Sequence, residues 1–63
     1  MNTEYQVGDL FCAKLDEKDL YIITREPEKD KYLQDVYFIT CMRTYKIYGY
    51  NKEGIEAVFR KVA

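Results

Sequence analysis

No stretch of this sequence repeats its apolar residues at the 3.6-residue spacing of an amphipathic helix. Instead, β-branched, aromatic and other apolar residues gather in short runs divided by polar turns. Five strand-like segments follow from that pattern. Residues 7–15 (VGDLFCAKL) begin with a bend at Gly8-Asp9, and residues 15–19 (LDEKD) form a charged loop after them. Residues 20–25 (LYIITR) make the second strand, which Pro27 is expected to stop by removing a ladder donor. Residues 26–35 then read as a long charged connection, pinned at Tyr32 and Leu33.

The strongest strand signal is residues 35–42 (DVYFITCM). Arg43-Thr44 makes a tight connection without the Asn-Gly pair of the commonest hairpins, and residues 44–50 (TYKIYGY) follow as the fourth strand. Asn51 to Gly54 punctuate the chain as a turn, with short helical structure admitted at residues 55–57. Residues 58–62 (VFRKV) close it as a fifth strand. Strand alternation assigns Leu10, Cys12, Ile22, Phe38, Ile47, Val58 and Val62 to the expected core. Residues 1–5 read as a flexible tail.

Sixty-three residues form one small domain, with little room for a core and a deep cleft together. No histidine is present, which excludes imidazole bases, Ser/His/Asp and Cys/His arrangements, and zinc sites that use histidine. Two cysteines cannot make a four-thiolate site, and the three glycines stand too far apart for a phosphate-cradling loop. The expectation is a domain that is not an enzyme and has no catalytic residues, metal or cofactor. Cys12 and Cys41 fall on strands and read as small buried hydrophobes, with no histidine or paired cysteine to lower a thiol pKa. Glu53 and Glu56, three apart, read as a solvated surface pair.

No apolar run approaches the roughly 20 residues of a membrane-spanning helix. The opening MNTEYQVGDL lacks a cationic start followed by an apolar stretch, so no secretory signal and a cytoplasmic location are expected.

The formal net charge is −1, but it is unevenly distributed. Residues 1–35 hold nine acids against five bases, and residues 36–63 hold two acids against five bases. The acids gather in two loops, represented by Asp16, Glu17 and Asp19 and by Glu26, Glu28 and Asp30. At one rim of a barrel these would favour a basic partner, although charged loops also simply keep a small domain soluble.

Seven tyrosines are more than so small a core can bury with their hydroxyls satisfied. Alternation places Tyr48 and Tyr50 on one face with Lys46, Tyr45 with Ile47, and Tyr37 with Ile39 and Cys41. Lys46, Tyr48 and Tyr50, with Arg43 at the hairpin tip, therefore form a second candidate surface. Such residues suit a protein contact, the stacking of nucleic-acid bases, or plain cross-strand packing. A sequence pI near 5.3 disfavours nucleic acid.

The order VGDLF, charged loop, second strand, acidic connection, the hairpin VYFITCMRTYKIYGY, a single turn at NKEGIE and a last strand VFRKV resembles the Src-homology-3-like small β-barrels, including KOW and Tudor-type modules. The resemblance spans residues 5–62 and is one of layout. It implies an all-β, five-stranded small barrel with one short helical turn before the last strand. The function expected is that of a protein-binding module, with a nucleic-acid-binding module of KOW or Tudor type as the alternative. A domain this small without catalytic residues also resembles the accessory and inhibitor proteins that bacteriophages and mobile elements encode against host proteins. Self-association through the edge of the residue 36–50 hairpin is a further expectation.

Overall fold

A computed structural model describes residues 5–63. Five antiparallel strands and one helix follow in chain order: β1 (Leu10–Ala13), β2 (Leu20–Lys29), β3 (Asp35–Cys41), β4 (Ile47–Asn51), α1 (Lys52–Val58) and β5 (Phe59–Lys61). Successive strands pair as a meander, and β5 returns beside β1 to give the sheet order β4-β3-β2-β1-β5. The sheet curls into a half-barrel. Among the described residues β4 and β5 remain its edges, joined through α1, so the five-stranded barrel expected from the sequence is an open one.

Pro27 does not end β2. The strand runs on to Lys29, and the expected long connection shrinks to a turn at residues 30–34. Two features remove the penalty on the proline. β1 pairs with β2 only over residues 20–22, so among the described residues no strand pairs with β2 on that side at Pro27. On the other side the register with β3 shifts twice, between Ile23 and Arg25 and between Arg25 and Glu28, and Pro27 falls within the second irregularity. Irregularities of this kind bend a strand and increase its twist, which helps β2 follow the curl. The Asp30 carboxylate closes the turn by accepting from the N–H groups of Tyr32 at 2.8 Å and Gln34 at 3.0 Å. Leu33 there adopts φ 63°.

The β3–β4 connection is longer than the expected two residues. Tyr45 N–H donates to the Cys41 carbonyl at 2.7 Å, and Cys41 N–H donates to the Lys46 carbonyl at 2.9 Å. Tyr45, at φ 63°, occupies the left-handed position of this turn.

α1 is longer than the single turn expected. The Asn51 side chain caps it by accepting from Gly54 N–H at 2.7 Å, and Glu53 lies in its first turn. Such a cap contributes about 1 kcal/mol. The Phe59 N–H bonds to the Ile55 carbonyl at the other end, which passes the chain from helix directly into β5.

The core lies on the concave face and is mainly aromatic. Phe11, Ile23, Tyr37, Ile39, Ile55 and Phe59 form it, with Tyr5, Ala13, Tyr21 and Tyr50 packed against its margin. Phe59 is the hub. Its ring meets Tyr21 at 4.8 Å, Tyr50 at 5.3 Å and Phe11 at 6.4 Å, all edge-on, the geometry the ring quadrupole favours. Tyr5 meets Phe11 and Tyr37 in the same way, both at 5.3 Å. It therefore belongs to the body of the domain, while the rest of the expected tail lies outside the described residues.

Of the expected core, only Cys12 is buried. Leu10, Ile22 and Phe38 are half-buried, and Ile47, Val58 and Val62 are exposed. Val58 ends α1; the other five that miss the core share the sheet face opposite it. Both faces of most strands carry apolar residues, and a one-residue change of phase exchanges them. Among the described residues, no helix is long and apolar enough to cross a membrane.

Candidate functional site

The convex face is the feature that alternation misassigns. Cross-strand register aligns Ile47 with Thr40, Thr40 with Ile22 and Ile22 with Leu10, giving one row from β4 to β1. Val62 N–H bonds to the Leu10 carbonyl at 2.8 Å and extends that row to the far edge. On one side of the row lie Leu20, Met42 and Cys12; Met42 N–H bonds to the Leu20 carbonyl, and Leu20 pairs with Cys12. On the other side lie Val36 and Phe38, with Gly49 opposite Phe38. A side chain at Gly49 would come within 3.3 Å of Val36 Cγ1 and 3.6 Å of the Phe38 ring, so the glycine makes room for both. Arg25 lays its guanidinium over the Phe38 ring, 3.9 Å from the centroid. Thr24 and Thr40 join their hydroxyls at 3.0 Å on the same face.

Ile47 is 58% exposed, Met42 46%, and Leu20 and Val62 43% each. Ile39, next to Thr40 on the other face, is 0% exposed. α1 covers the concave side, where Ile55 enters the core. The result is a contiguous apolar sheet face whose aliphatic side chains meet solvent. Its sequence signal was present in runs such as LYII and VYFI, which are apolar at consecutive positions and so offer two apolar faces.

The acidic residues do not gather at one rim. Asp16, Glu17 and Asp19 lie before the start of β2, whereas Glu26 and Glu28 are on β2 and Asp30 follows its end. Residues 20–25, about 20 Å of extended strand, separate the first group from Glu26, and Asp30 lies beyond the far end of β2. The first group instead meets the hairpin. Arg43 donates from Nε to Asp19 Oδ1 at 2.8 Å and from a terminal nitrogen to Oδ2 at 3.0 Å, a two-pronged ion pair. Glu17 accepts from Arg60 at 3.2 Å, and the same guanidinium nitrogen lies 3.3 Å from Cys12 Sγ. Asp16 caps its own turn through Lys18 N–H.

Tyr48 and Tyr50 do share a face, but it is the concave one. Tyr48 pairs with Ile39 and Tyr50 with Tyr37, and Tyr50 packs on Phe59. Lys46 precedes β4 and is exposed. The expected Arg43, Lys46, Tyr48, Tyr50 surface is therefore divided between the turn and the aromatic margin of the core.

Asp19 and Arg43 shift each other's titration. The bond to Arg43 holds the Asp19 carboxyl below the usual carboxylate range, and Asp19 in turn raises Arg43. A carboxyl lowered on folding stabilises the native state above its unfolded pKa, and that contribution disappears as pH falls through the folded value. Asp19→Asn should accordingly be less stable than the parent near neutrality. Urea denaturation repeated at falling pH should find the difference closing below about pH 4; a constant difference would show that the ionised pair contributes nothing.

Beneath this turn the Cys41 thiol is buried. The Thr44 hydroxyl, then the Thr44 and Arg43 N–H groups, hold it below the ordinary thiol value against the opposing effect of burial. The groups that lower Cys41 are neither histidine nor cysteine but the Thr44 hydroxyl and two amide N–H groups, which only the turn brings to the sulfur. Burial raises the adjacent Tyr21 phenol, with Cys41 adding to the effect. Cys12 and Cys41 are both free thiols. Among the described residues no three Cys, Asp or Glu side chains group closely enough to hold a metal ion.

Comparison with protein-family models, with curated proteins and with solved structures found no match.

Proposed function

We propose that this chain is a non-enzymatic protein-binding module of Src-homology-3-like layout, and that it binds through its convex sheet face. The observation that carries the proposal is the row Ile47, Thr40, Ile22, Leu10 and Val62 with Leu20, Met42 and Phe38 beside it. Contiguous exposed apolar patches of this kind mark interaction surfaces on soluble domains. The meander with the last strand beside the first, reached through a short helix, supports the layout. An inhibitor of a host protein, encoded by a phage or mobile element, is the sharpest form of the proposal.

Protein is favoured over nucleic acid because the basic side chains nearest the face are already engaged. Arg43 is held by Asp19, Arg60 by Glu17, and Arg25 covers Phe38. Phosphate binding depends on basic groups that are available to displace counterions.

Replacing Ile47 with the photoreactive benzoylphenylalanine tests the proposal in cells. Light-dependent adducts to protein, unaffected by nuclease and lost when Leu20→Asp is added, are expected. Adducts that disappear with nuclease, that persist with Leu20→Asp, or that never form would overturn it.

A further inference from the structure

We propose that the β4 edge pairs with the β4 edge of a second copy, joining two five-stranded sheets into one continuous antiparallel sheet. The inference goes beyond the convex-face reading and does not depend on it. It is carried by the backbone groups that β4 leaves open and by the side chains beside them.

The ladder shows which groups are open. Cys41 N–H bonds to the Lys46 carbonyl on the β4 side, whereas Met42 N–H bonds to the Leu20 carbonyl on the β2 side. Alternation along β3 therefore turns Tyr37 and Ile39 toward β4, where they bond to Tyr50 and Tyr48 opposite them. The N–H and C=O groups of Ile47 and Gly49 point the other way, and among the described residues no strand lies on that side. Side chains do not guard this edge. Residues 47–51 hold no charge and no proline, their register with β3 runs without a bulge, and Ile47, Tyr48 and Gly49 are all exposed. The β5 edge is the opposite case, three residues long with Arg60 and Lys61 among them. Short length and positive charge protect an edge from pairing, and only β5 has them.

Self-complementarity selects the second copy and its register. Two antiparallel copies of β4 are related by a two-fold axis perpendicular to the sheet, and the residue on that axis meets its own counterpart. With Tyr48 on the axis, Ile47 of each copy stands opposite Gly49 of the other, and each such pair exchanges both of its outward backbone bonds. The Ile47 side chain, 58% exposed in the single chain, then covers the space beside Gly49 toward which Val36 and Phe38 already lean. On the concave side the two Tyr48 rings lie opposite each other, and Lys46 lies beside the other copy's Tyr50, so no like charges meet. The neighbouring registers are poorer. With Gly49 on the axis, Lys46 faces the other copy's Lys52; with Ile47 on it, Gly49 falls opposite Tyr45, whose φ of 63° takes it out of the extended ladder. Because only edges join, the curl of each sheet is no obstacle, and both convex faces stay open on the same side.

Cysteine cross-linking tests the register. In a non-hydrogen-bonded pair the Cα atoms lie about 4.5 Å apart, within reach of a disulfide, so mild oxidation should convert most of Tyr48→Cys to a covalent dimer. The parent should not react, since Cys12 and Cys41 are 3% and 2% exposed. Ile47→Cys should cross-link at least about tenfold more slowly, its counterpart lying on the diagonal about 7–8 Å away. Sedimentation equilibrium of the full chain, from micromolar to millimolar concentration, should show a reversible monomer–dimer equilibrium, as a small edge contact implies. Tyr48→Lys, outside the core cluster, should weaken it at least about tenfold by setting ammonium against ammonium, with an unchanged far-ultraviolet circular dichroism spectrum. A chain that stays monomeric to millimolar concentration overturns the inference. So does a dimer that ignores Tyr48→Lys, a dimer lost with Leu20→Asp, or Ile47→Cys cross-linking as readily as Tyr48→Cys. The two readings fail separately: self-adducts of residue 47, at twice the chain's mass, report this pairing, whereas adducts to a different protein report the convex face.

Discussion

Phe59→Ala is expected to remove a large share of the domain's stability and to lower its melting temperature by at least about 10 °C. Phe59 is nearly buried, and its ring is the meeting point of Tyr21, Tyr50 and Phe11. It also joins three parts of the fold, capping α1 through its N–H, pairing with Ala13 of β1, and packing in the core beside Ile55. Removing a buried phenylalanine side chain costs about 3–5 kcal/mol, and the lost edge-on ring contacts lie within that figure. A domain of this size has a total stability of roughly 3–9 kcal/mol. The substitution therefore removes between about a third and all of it, enough to lower the melting temperature by at least about 10 °C. Far-ultraviolet circular dichroism against temperature is the measurement. A cooperative melt within a few degrees of the parent would mean that the aromatic cluster does not organise the core.

Ile23→Ala and Ile22→Ala should differ sharply although the residues are adjacent and chemically the same. Ile23 is 1% exposed on the concave face, opposite Ile39, and its truncation should cost about 2–5 kcal/mol. Ile22 lies half-buried on the convex face of the monomer, opposite Leu10 and Thr40, and should cost about 1 kcal/mol at dilute protein. The pair tests which face of the sheet is interior, because any change of phase would exchange the two values. Urea denaturation at low micromolar concentration separates them. Equal costs, or a larger one at Ile22, would place the core on the opposite face.

The hairpin end shows how far residue pattern carries toward a site. The placement of Arg43 at the β3–β4 tip and the common face of Tyr48 and Tyr50 both follow from strand alternation and recur in the fold. The partnership of Arg43 with Asp19 does not, since 24 residues separate them and only the pairing of β2 with β3 brings their ends together. For the same reason the acidic segments, adjacent in a linear reading, lie at opposite ends of β2. Pro27 is a comparable case. Its effect on a ladder depends on whether a neighbour needs its missing N–H, and β1 is too short to reach it.

Sequence alone determined that this is an all-β domain of five short antiparallel strands with a helical segment before the last, because β-branched and aromatic runs separated by polar turns admit little else in 63 residues. Tertiary structure decided which face of the sheet became interior. Residues 20–23 and 36–39 are apolar at every position, so alternation within a strand offers two equivalent faces. What breaks the equivalence is remote in sequence: α1 delivers Ile55 to one face, Phe59 turns inward directly after it, and Tyr5 covers Phe11 and Tyr37 from the same side. The rings interlock on that side, and the aliphatic row from Ile47 to Val62 is left on the other, facing outward.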